Sequence, residues 1–200
     1  MNYPTVRLRR VAEIVNGGTP TSDDENWNGG VIWVTPADLR DHHGGTISDS
    51  ERTLSPDGLM SSSATLVPPG SVVVSTRAPI GYVAIAGVEL ATNQGCRALV
   101  PGPDLLGPYL ALQLSSITDV LDGRGRGTTF MELSEDELAS VPILLPPLDA
   151  QREAIAQIQK RLQRVSDLVD KNLRMLDLLA EQRRSIVYSG VRGELAGGKL

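Results

Sequence analysis

The sequence VPILLPPLDAQREAIAQI, residues 141–158, marks the boundary between two parts of the chain. Its opening residues, 141–145, are mostly apolar and predict a short strand. Pro146 and Pro147 then stop that strand, because proline has no backbone N–H to donate to a sheet. Asp149 follows as a candidate N-cap, since its carboxylate can accept hydrogen bonds from the free N–H groups at the start of a helix. The stretch therefore predicts that a globular domain ends here and a helix begins.

The predicted helix is long. No proline follows Asp149, glycine returns only at Gly190, and the residues between are rich in Ala, Leu, Gln, Arg and Glu. About forty residues at about 1.5 Å each give a helix of roughly 60 Å. The sequence therefore predicts a domain over residues 1–148, a helix over residues 149–190 and a C-terminal tail over residues 191–200.

Apolar residues along this helix recur at spacings of three and four, which is the a/d pattern of a coiled coil. The predicted seam, which we expect to form a dimer interface, consists of Ile155, Ile158, Leu162, Val165, Val169, Asn172, Leu176 and Leu179. Its polar member, Asn172, would lower stability but fix register and partner. The alternative is a helix that packs on its own domain. A coiled coil is favoured because one domain of this size covers little of a stripe of roughly 60 Å; a dimer and a heteromer both stay open.

The segment before the helix predicts strands and loops with short helices, an α+β class. Strands are predicted within VIWVTPADL (31–39), GSVVVSTRAPIGYVAIA (70–86, two strands joined by a turn) and CRALVP (96–101). Helical spacing is present over residues 104–121. Ser134 and Glu137, three residues apart, form a capping-box pattern that predicts a short helix within residues 133–141.

Composition narrows the class of protein. The chain has 200 residues, of which 40% are hydrophobic. It has no apolar run of about 18 residues and no apolar segment of a secretory signal, so we expect a cytoplasmic protein. Its single cysteine, Cys96, excludes an internal disulfide and a cysteine-cluster metal site. The net charge of −5 argues against simple electrostatic binding of nucleic acid, although a DNA reader can borrow positive surface from a partner.

The basic residues are unevenly distributed. Before Asp149 every one is arginine, and the first lysine is Lys160. Arginine presents a planar fork that suits phosphates and guanine edges. The same segment carries about twice as many acidic residues, so any DNA-binding surface is expected to be a local patch. The loop GRGRGTTF (123–130) is the best candidate, because glycines let backbone approach a ligand closely; the alternative is an ordinary flexible connection.

No catalytic pattern stands out. The chain has no glycine-rich phosphate loop with a lysine and no sequence typical of S-adenosylmethionine binding. His42 and His43 are adjacent, so on an extended chain they point apart and make a poor metal pair. A Cys96–His42 nucleophile pair has no support beyond the residue types, and Cys96 opens an apolar strand, so we interpret it as a core residue. We therefore expect a protein that is not an enzyme and binds no metal.

Taken in order, several segments resemble the DNA-specificity (S) subunits of type I restriction–modification systems. They are VAEIVNGGTPTSDDENWNGGVIWVTPADL, LVPPGSVVVSTRAPIGYVAIA, ATNQGCRAL and GTTFMELSEDELASVPILLPPLDAQREAI, followed by the long helix. The resemblance implies a β-rich target-recognition domain that reads one half of a split DNA site, and a spacer helix that pairs as an antiparallel coiled coil. It also implies partner methyltransferase subunits that hold S-adenosylmethionine, and in some assemblies an endonuclease subunit.

The chain departs from this family in having one recognition domain and one helix instead of two of each. It is then a half-length subunit, a fragment or a split-gene product. A half-length subunit would pair with a second copy through the seam and read a palindromic split site, because a true dyad replaces the pseudo-dyad. The other open interpretations are a coiled-coil scaffold without DNA binding and an inactive half-subunit that competes with a full-length one.

The residues expected to contact DNA are polar or basic side chains in predicted loops, chosen on their chemistry. They are Thr19, Arg40, His42, His43, Arg77, Arg124, Arg126, Thr128 and Thr129. For Arg77 the alternative to a phosphate contact is an ion pair within the scaffold. Asn93 and Gln94 can also bond adenine edges, but a role in shaping the backbone is favoured for them.

Overall fold

The computed structural model describes residues 3–125 and 131–192, and the chain divides into two compact units between Ile155 and Ala156. In the described residues the strands are β1 (Thr5–Arg7), β2 (Ala12–Asn16), β3 (Trp27–Val34), β4 (Thr46–Ile47), β5 (Thr53–Leu54), β6 (Val72–Ser75), β7 (Val83–Ala86), β8 (Ala91–Thr92), β9 (Cys96–Pro101) and β10 (Pro142–Leu144). The α-helices are α1 (Pro36–Asp41), α2 (Pro56–Ser61), α3 (Gly107–Ser115), α4 (Thr118–Gly123), α5 (Glu135–Ala139) and α6 (Leu148–Val191). Short 3-10 turns cover Leu8–Arg10 and Asp24–Asn26.

The first unit is built on a five-stranded sheet with the order β2-β9-β6-β7-β4. Its neighbours are antiparallel except for β4 and β7, which run parallel. A second sheet has the order β5-β3-β8, and β1 pairs with β10. The predicted α+β class is confirmed, with the strands concentrated before the long helix.

The side chains of β6, the central strand of the five-stranded sheet, point alternately into two hydrophobic cores. Val72 and Val74 point into a core that also contains Leu110 and Leu114 of α3. Val73, between them, packs on the opposite face with Cys96 of β9. The period of two follows from the pleat of a strand, whose successive side chains point to opposite faces. Because both faces of β6 are covered, the run VVV is buried throughout.

The predicted hairpin within residues 70–86 is confirmed, with β6 and β7 antiparallel and Val73 opposite Ala84. The predicted strand at residues 96–101 is β9. The helical segment predicted over residues 104–121 is two helices, α3 and α4. The break lies between Ser115 and Thr118, where two hydroxyls donate to backbone carbonyls. Ser116 Oγ donates to Gln113 O at 2.7 Å, and Thr118 Oγ1 donates to Ser115 O at 3.1 Å. In a continuous helix these carbonyls would accept from backbone N–H groups.

The capping prediction at Ser134 is confirmed, because its Oγ accepts a hydrogen bond from Glu137 N at the start of α5. After α5, β10 pairs antiparallel with β1, with Val6 opposite Ile143. The strand predicted from residues 141–145 is therefore present, and its partner is the N-terminal strand.

The long helix α6 comprises 44 residues, about 66 Å at about 1.5 Å per residue. It begins one residue earlier than predicted, so Asp149 lies in the first turn and is not the N-cap. Its negative charge still stabilises the helix, because the N-terminal end of the helix dipole is positive. Asp149 accepts a hydrogen bond from Arg152 at 2.9 Å. Coiled-coil pairing of α6 stays a prediction.

Among the described residues, no helix combines the length and the apolar content needed to span a membrane.

Candidate nucleic-acid interface

One carboxylate fixes α1 to the loop that precedes β5. Asp38 closes a capping box with Thr35: its Oδ2 accepts from Thr35 N at 2.8 Å and from Thr35 Oγ1 at 2.6 Å. Its other oxygen, Oδ1, accepts from Glu51 N at 2.9 Å. Charge-assisted hydrogen bonds of this kind are the strong ones. The exposed segment around Glu51 is therefore held against α1 through its backbone.

Two predicted DNA-contact residues lie at the C-terminal end of α1. His42 places Nδ1 at 2.9 Å from Asp38 O and Nε2 at 3.5 Å from Asp49 Oδ1, with a third of its side chain exposed. Arg40 is more open: its side chain is 63% exposed, and its Nε lies 3.4 Å from the neighbouring carboxylate of Asp41. Arg40 is thus free to reach a ligand, whereas His42 is partly engaged within the domain.

His43, next in the chain, faces a different part of the domain. Its Nδ1 accepts a hydrogen bond from Val83 N at 3.0 Å, and its ring centroid lies 5.5 Å from that of Tyr82. Because Nδ1 accepts, the neutral ring carries its proton on Nε2. The structure therefore gives His43 a role at the start of β7, and the DNA contact predicted for it remains a prediction.

Thr19 lies in the loop after β2, where its hydroxyl donates to the side-chain oxygen of Gln94. The two loops are joined by their backbones as well, since Gly18 N donates to Thr92 O at 2.9 Å. The buried side chain of Trp33 also holds the first of these loops, because its Nε1 donates to Gly18 O at 2.9 Å. Thr19 and Gln94 are both exposed on this buried support.

Arg77 and Arg124 bind the segment that follows residue 130. Arg77 Nε donates to Glu132 Oε2 at 3.2 Å. Arg124 NH1 donates to Ser140 Oγ at 3.0 Å and forms an ion pair with Glu137 at 3.6 Å. Both guanidiniums thus have structural partners, and their DNA contacts stay predictions. The remaining predicted contacts, Arg126, Thr128 and Thr129, lie outside the described residues.

Two arginines outside the predicted set of DNA contacts also have defined environments. Arg97 Nε donates to Asn16 Oδ1 at 2.8 Å and its NH1 to Leu133 O at 3.1 Å, so it too supports the segment after residue 130. Arg52 has a different environment: its guanidinium carbon lies 3.4 Å from the ring centroid of Trp27. Nothing local in the sequence marks this contact, because Trp27 belongs to a separate strand.

Cys96 is a core residue, as interpreted from the sequence. It is 0% exposed and packs in the second core. Burial raises the pKa of its thiol far above the usual range, and the nearby carboxylate of Asp38 raises it further. A nucleophilic cysteine needs a lowered pKa and access to solvent, so this environment is the opposite of a reactive one. In the described part of the chain, no group of three or more His, Cys, Asp or Glu side chains could hold a metal ion.

Comparisons with a family model and with related proteins point to the same family. The model of the type I restriction modification DNA specificity domain matches residues 2–175. The chain is 32% identical over 181 residues to the type I restriction enzyme MjaIX specificity subunit of Methanocaldococcus jannaschii, which covers 89% of this chain and 41% of that protein.

Solved structures agree with this match. The HsdS subunit from Thermoanaerobacter tengcongensis has a TM-score of 0.66 at 27% identity, covering 83% of this chain and 39% of that one. A chain from a structure of a type I R-M system has a TM-score of 0.76 at 23% identity, covers 94% of this chain and 45% of that one, and shows the shared fold. The chain spans less than half the length of these relatives. It belongs to the type I restriction modification DNA specificity domain family.

Proposed function

We propose that this chain is a non-catalytic component that gives a type I restriction–modification complex its DNA sequence specificity by reading one half of a split site. The observation that carries the proposal is the family match over residues 2–175, which includes the β-rich unit and much of α6. The loops around α1 supply exposed donors on a rigid support, which is what the reading of base edges requires.

We also propose that the exposed seam of α6 pairs with the same seam of a second copy, forming an antiparallel coiled coil. Leu162, Val165 and Leu176 are 57%, 56% and 61% exposed in the single chain. Ile155, at the start of the seam, instead packs partly against the first core. A two-fold homodimer would present two identical recognition domains, so its DNA site would be palindromic and interrupted.

The partners proposed for this assembly are double-stranded DNA, methyltransferase subunits and, in the restriction-competent form, an endonuclease subunit. The methyltransferase subunits would hold S-adenosylmethionine, and this chain would hold no cofactor. The assembly would act in the cytoplasm. The net charge of −5 supports a division of labour in which the partner supplies most phosphate contacts, because those contacts dominate affinity for DNA.

The proposal is tested by fluorescence anisotropy with a duplex that carries the site methylated in the source cell. At about physiological salt the chain alone should bind weakly, and addition of the methyltransferase subunit should raise the affinity at least about tenfold, with a steeper salt dependence. Tight, site-specific binding by the chain alone would contradict the division of labour. Absence of binding with the partner present would contradict DNA reading and favour a coiled-coil scaffold.

A further inference from the structure

A stacked pair on the surface of the first unit, Arg52 on Trp27, has the geometry of a reader of a DNA base. The guanidinium carbon of Arg52 lies 3.4 Å from the ring centroid of Trp27, so it lies against the ring face. Trp27 in turn meets Trp33 edge to face, with ring centroids 5.2 Å apart and an angle of 75° between the planes. Trp33 is only 5% exposed. A surface arginine is thus fixed to the core through two aromatic rings.

The backbone that carries Arg52 is held as firmly as its side chain. Ser50 Oγ donates to Arg52 O at 2.7 Å and accepts from Trp33 N at 3.0 Å. The neighbouring residue, Glu51, donates its N–H to Asp38 of α1 at 2.9 Å. Ordering a long side chain before binding lowers the entropy lost on binding, so this arginine is organised for a ligand in advance.

Trp27 is placed by an irregularity in β3. Both Trp27 and Val31 face Leu54 of β5, so the register shifts between them. Asn28 has a φ of 61° and Gly30 a φ of 87°, which lie in the left-handed region that the extra residues of a bulge require. Bulges redirect a side chain from its regular position in a strand. Here the bulge leaves Trp27, the first residue of β3, half-buried, and Arg52 lies against the face of its ring.

The donors of Arg52 are available. Its guanidinium makes no hydrogen bond or ion pair with the residues that the structure describes. A guanidinium that stacks on a ring by its face keeps its N–H groups in the plane, directed outward. The nearest charged groups in sequence, Asp49 and Glu51, are acidic, and Asp49 is 81% exposed. A segment with these acidic neighbours is a poor site for a phosphate, so a ligand recognised by directed hydrogen bonds is favoured.

We propose that Arg52, held on Trp27, donates two parallel hydrogen bonds to O6 and N7 of one guanine in the major groove of the target half-site. Arginine to guanine is the commonest specific base contact, and it needs a rigid planar fork. The inference rests on the proposed reading of DNA and adds a position-specific residue to it.

The test uses a strain from which the gene is deleted and to which variants of the full chain are returned, with adenine methylation mapped by long-read sequencing. The wild-type chain should restore a motif that contains a fixed guanine. Arg52→Lys and Arg52→Ala should lose discrimination at that single position by about tenfold or more, because each bidentate contact is worth about 1–3 kcal/mol. All other positions of the motif should be unchanged.

Variants of Trp27 separate the stack from the charge. Trp27→Leu removes the aromatic face and should reduce discrimination at the same position of the DNA motif. Trp27→Phe should preserve it, since Trp27 Nε1 makes no hydrogen bond with the described residues and phenylalanine loses none. Arg9→Lys is the matched control, because Arg9 is exposed and its guanidinium likewise makes no hydrogen bond or ion pair with the described residues; it should leave the motif intact.

Three outcomes decide the matter. An unchanged motif in both Arg52 variants would overturn the assignment. An equal fall in methylation at all sites, with the motif unchanged, would also overturn it, because the arginine would then contribute charge and not base recognition. Failure of the wild-type chain to restore any methylation would refute the proposed function itself. Melting curves of the purified variants, followed by tryptophan fluorescence, identify any variant that fails to fold, in which case Arg52→Lys decides.

Discussion

Replacement of Gln151 by alanine should destabilise the first unit far more than the same replacement at an exposed glutamine of α6. Gln151 is 0% exposed. Its Oε1 accepts from Leu106 N at 2.9 Å, and its Nε2 donates to Asp104 O and to Pro146 O, each at 2.8 Å. One side chain thus joins the first turn of α6 to the segment before α3 and to the residue before Pro147.

The magnitude follows from what the substitution leaves behind. Alanine removes three hydrogen bonds and leaves one N–H and two carbonyl groups without their partner. A net hydrogen bond contributes about 0.5–1.5 kcal/mol, and a buried polar group left unpaired costs about 1–3 kcal/mol. Because water can reach the partly buried groups, we expect a loss of about 2–4 kcal/mol in the free energy of unfolding. For a domain of this size that corresponds to a fall in Tm of about 5–15 °C.

Tryptophan fluorescence during thermal or urea unfolding is the appropriate assay, because both tryptophans, Trp27 and Trp33, lie in the first unit. Gln163→Ala is the matched control: Gln163 is exposed on α6, and its Nε2 donates to Asp167 Oδ1 at 2.8 Å. That variant should change stability by less than about 0.5 kcal/mol. An equally small change in Gln151→Ala would refute the view that Gln151 anchors the start of the helix.

Three further predictions concern the seam, the arginine anchors and the cysteine. Leu162→Asp combined with Leu176→Asp should convert a dimer to a monomer in light scattering after size exclusion, whereas Lys160→Asp, off the seam, should not; monomeric wild-type chain would contradict the homodimer. Arg124→Ala should lower the free energy of unfolding by about 1–2 kcal/mol, because a half-buried guanidinium with a hydroxyl and a carboxylate partner is lost, and an unchanged urea midpoint would contradict that structural role. Cys96 should resist iodoacetamide at about pH 8 in the folded chain and react once urea unfolds it, because burial raises the pKa of its thiol; fast labelling of the native chain would contradict its burial.

Features set by neighbours in the sequence could be predicted. The cap at Ser134 and the strand at residues 96–101 depend on local backbone chemistry and on the period of two, and both are present. The long helix follows from the absence of proline after Asp149 and of glycine before Gly190, and it extends from Leu148 to Val191. The partner of this helix could not be predicted from periodicity alone. An apolar seam indicates that another helix packs against it, but it does not identify that helix.

Features set by distant residues could not be predicted. The parallel pairing of β3 with β8 joins segments that no turn signal connects. An ion pair within the scaffold is one of the two roles that the sequence predicts for Arg77, but its partner, Glu132, lies 55 residues away and could not be identified. The stack of Arg52 on Trp27 depends on a bulge whose effect appears only when β5 is paired. The composition of a loop thus identifies residues able to bind DNA, while tertiary contacts decide which of them are already occupied.

The adenine methylome of the source cell, mapped with and without this gene, would show whether the chain directs methylation to a DNA sequence. We predict that deletion abolishes methylation at one split motif and that the full chain restores it. A palindromic motif would agree with two copies joined through α6, and an asymmetric motif would indicate a partner with a second recognition domain. A methylome that is identical in the two strains would contradict the proposal that this chain gives a methyltransferase its sequence specificity.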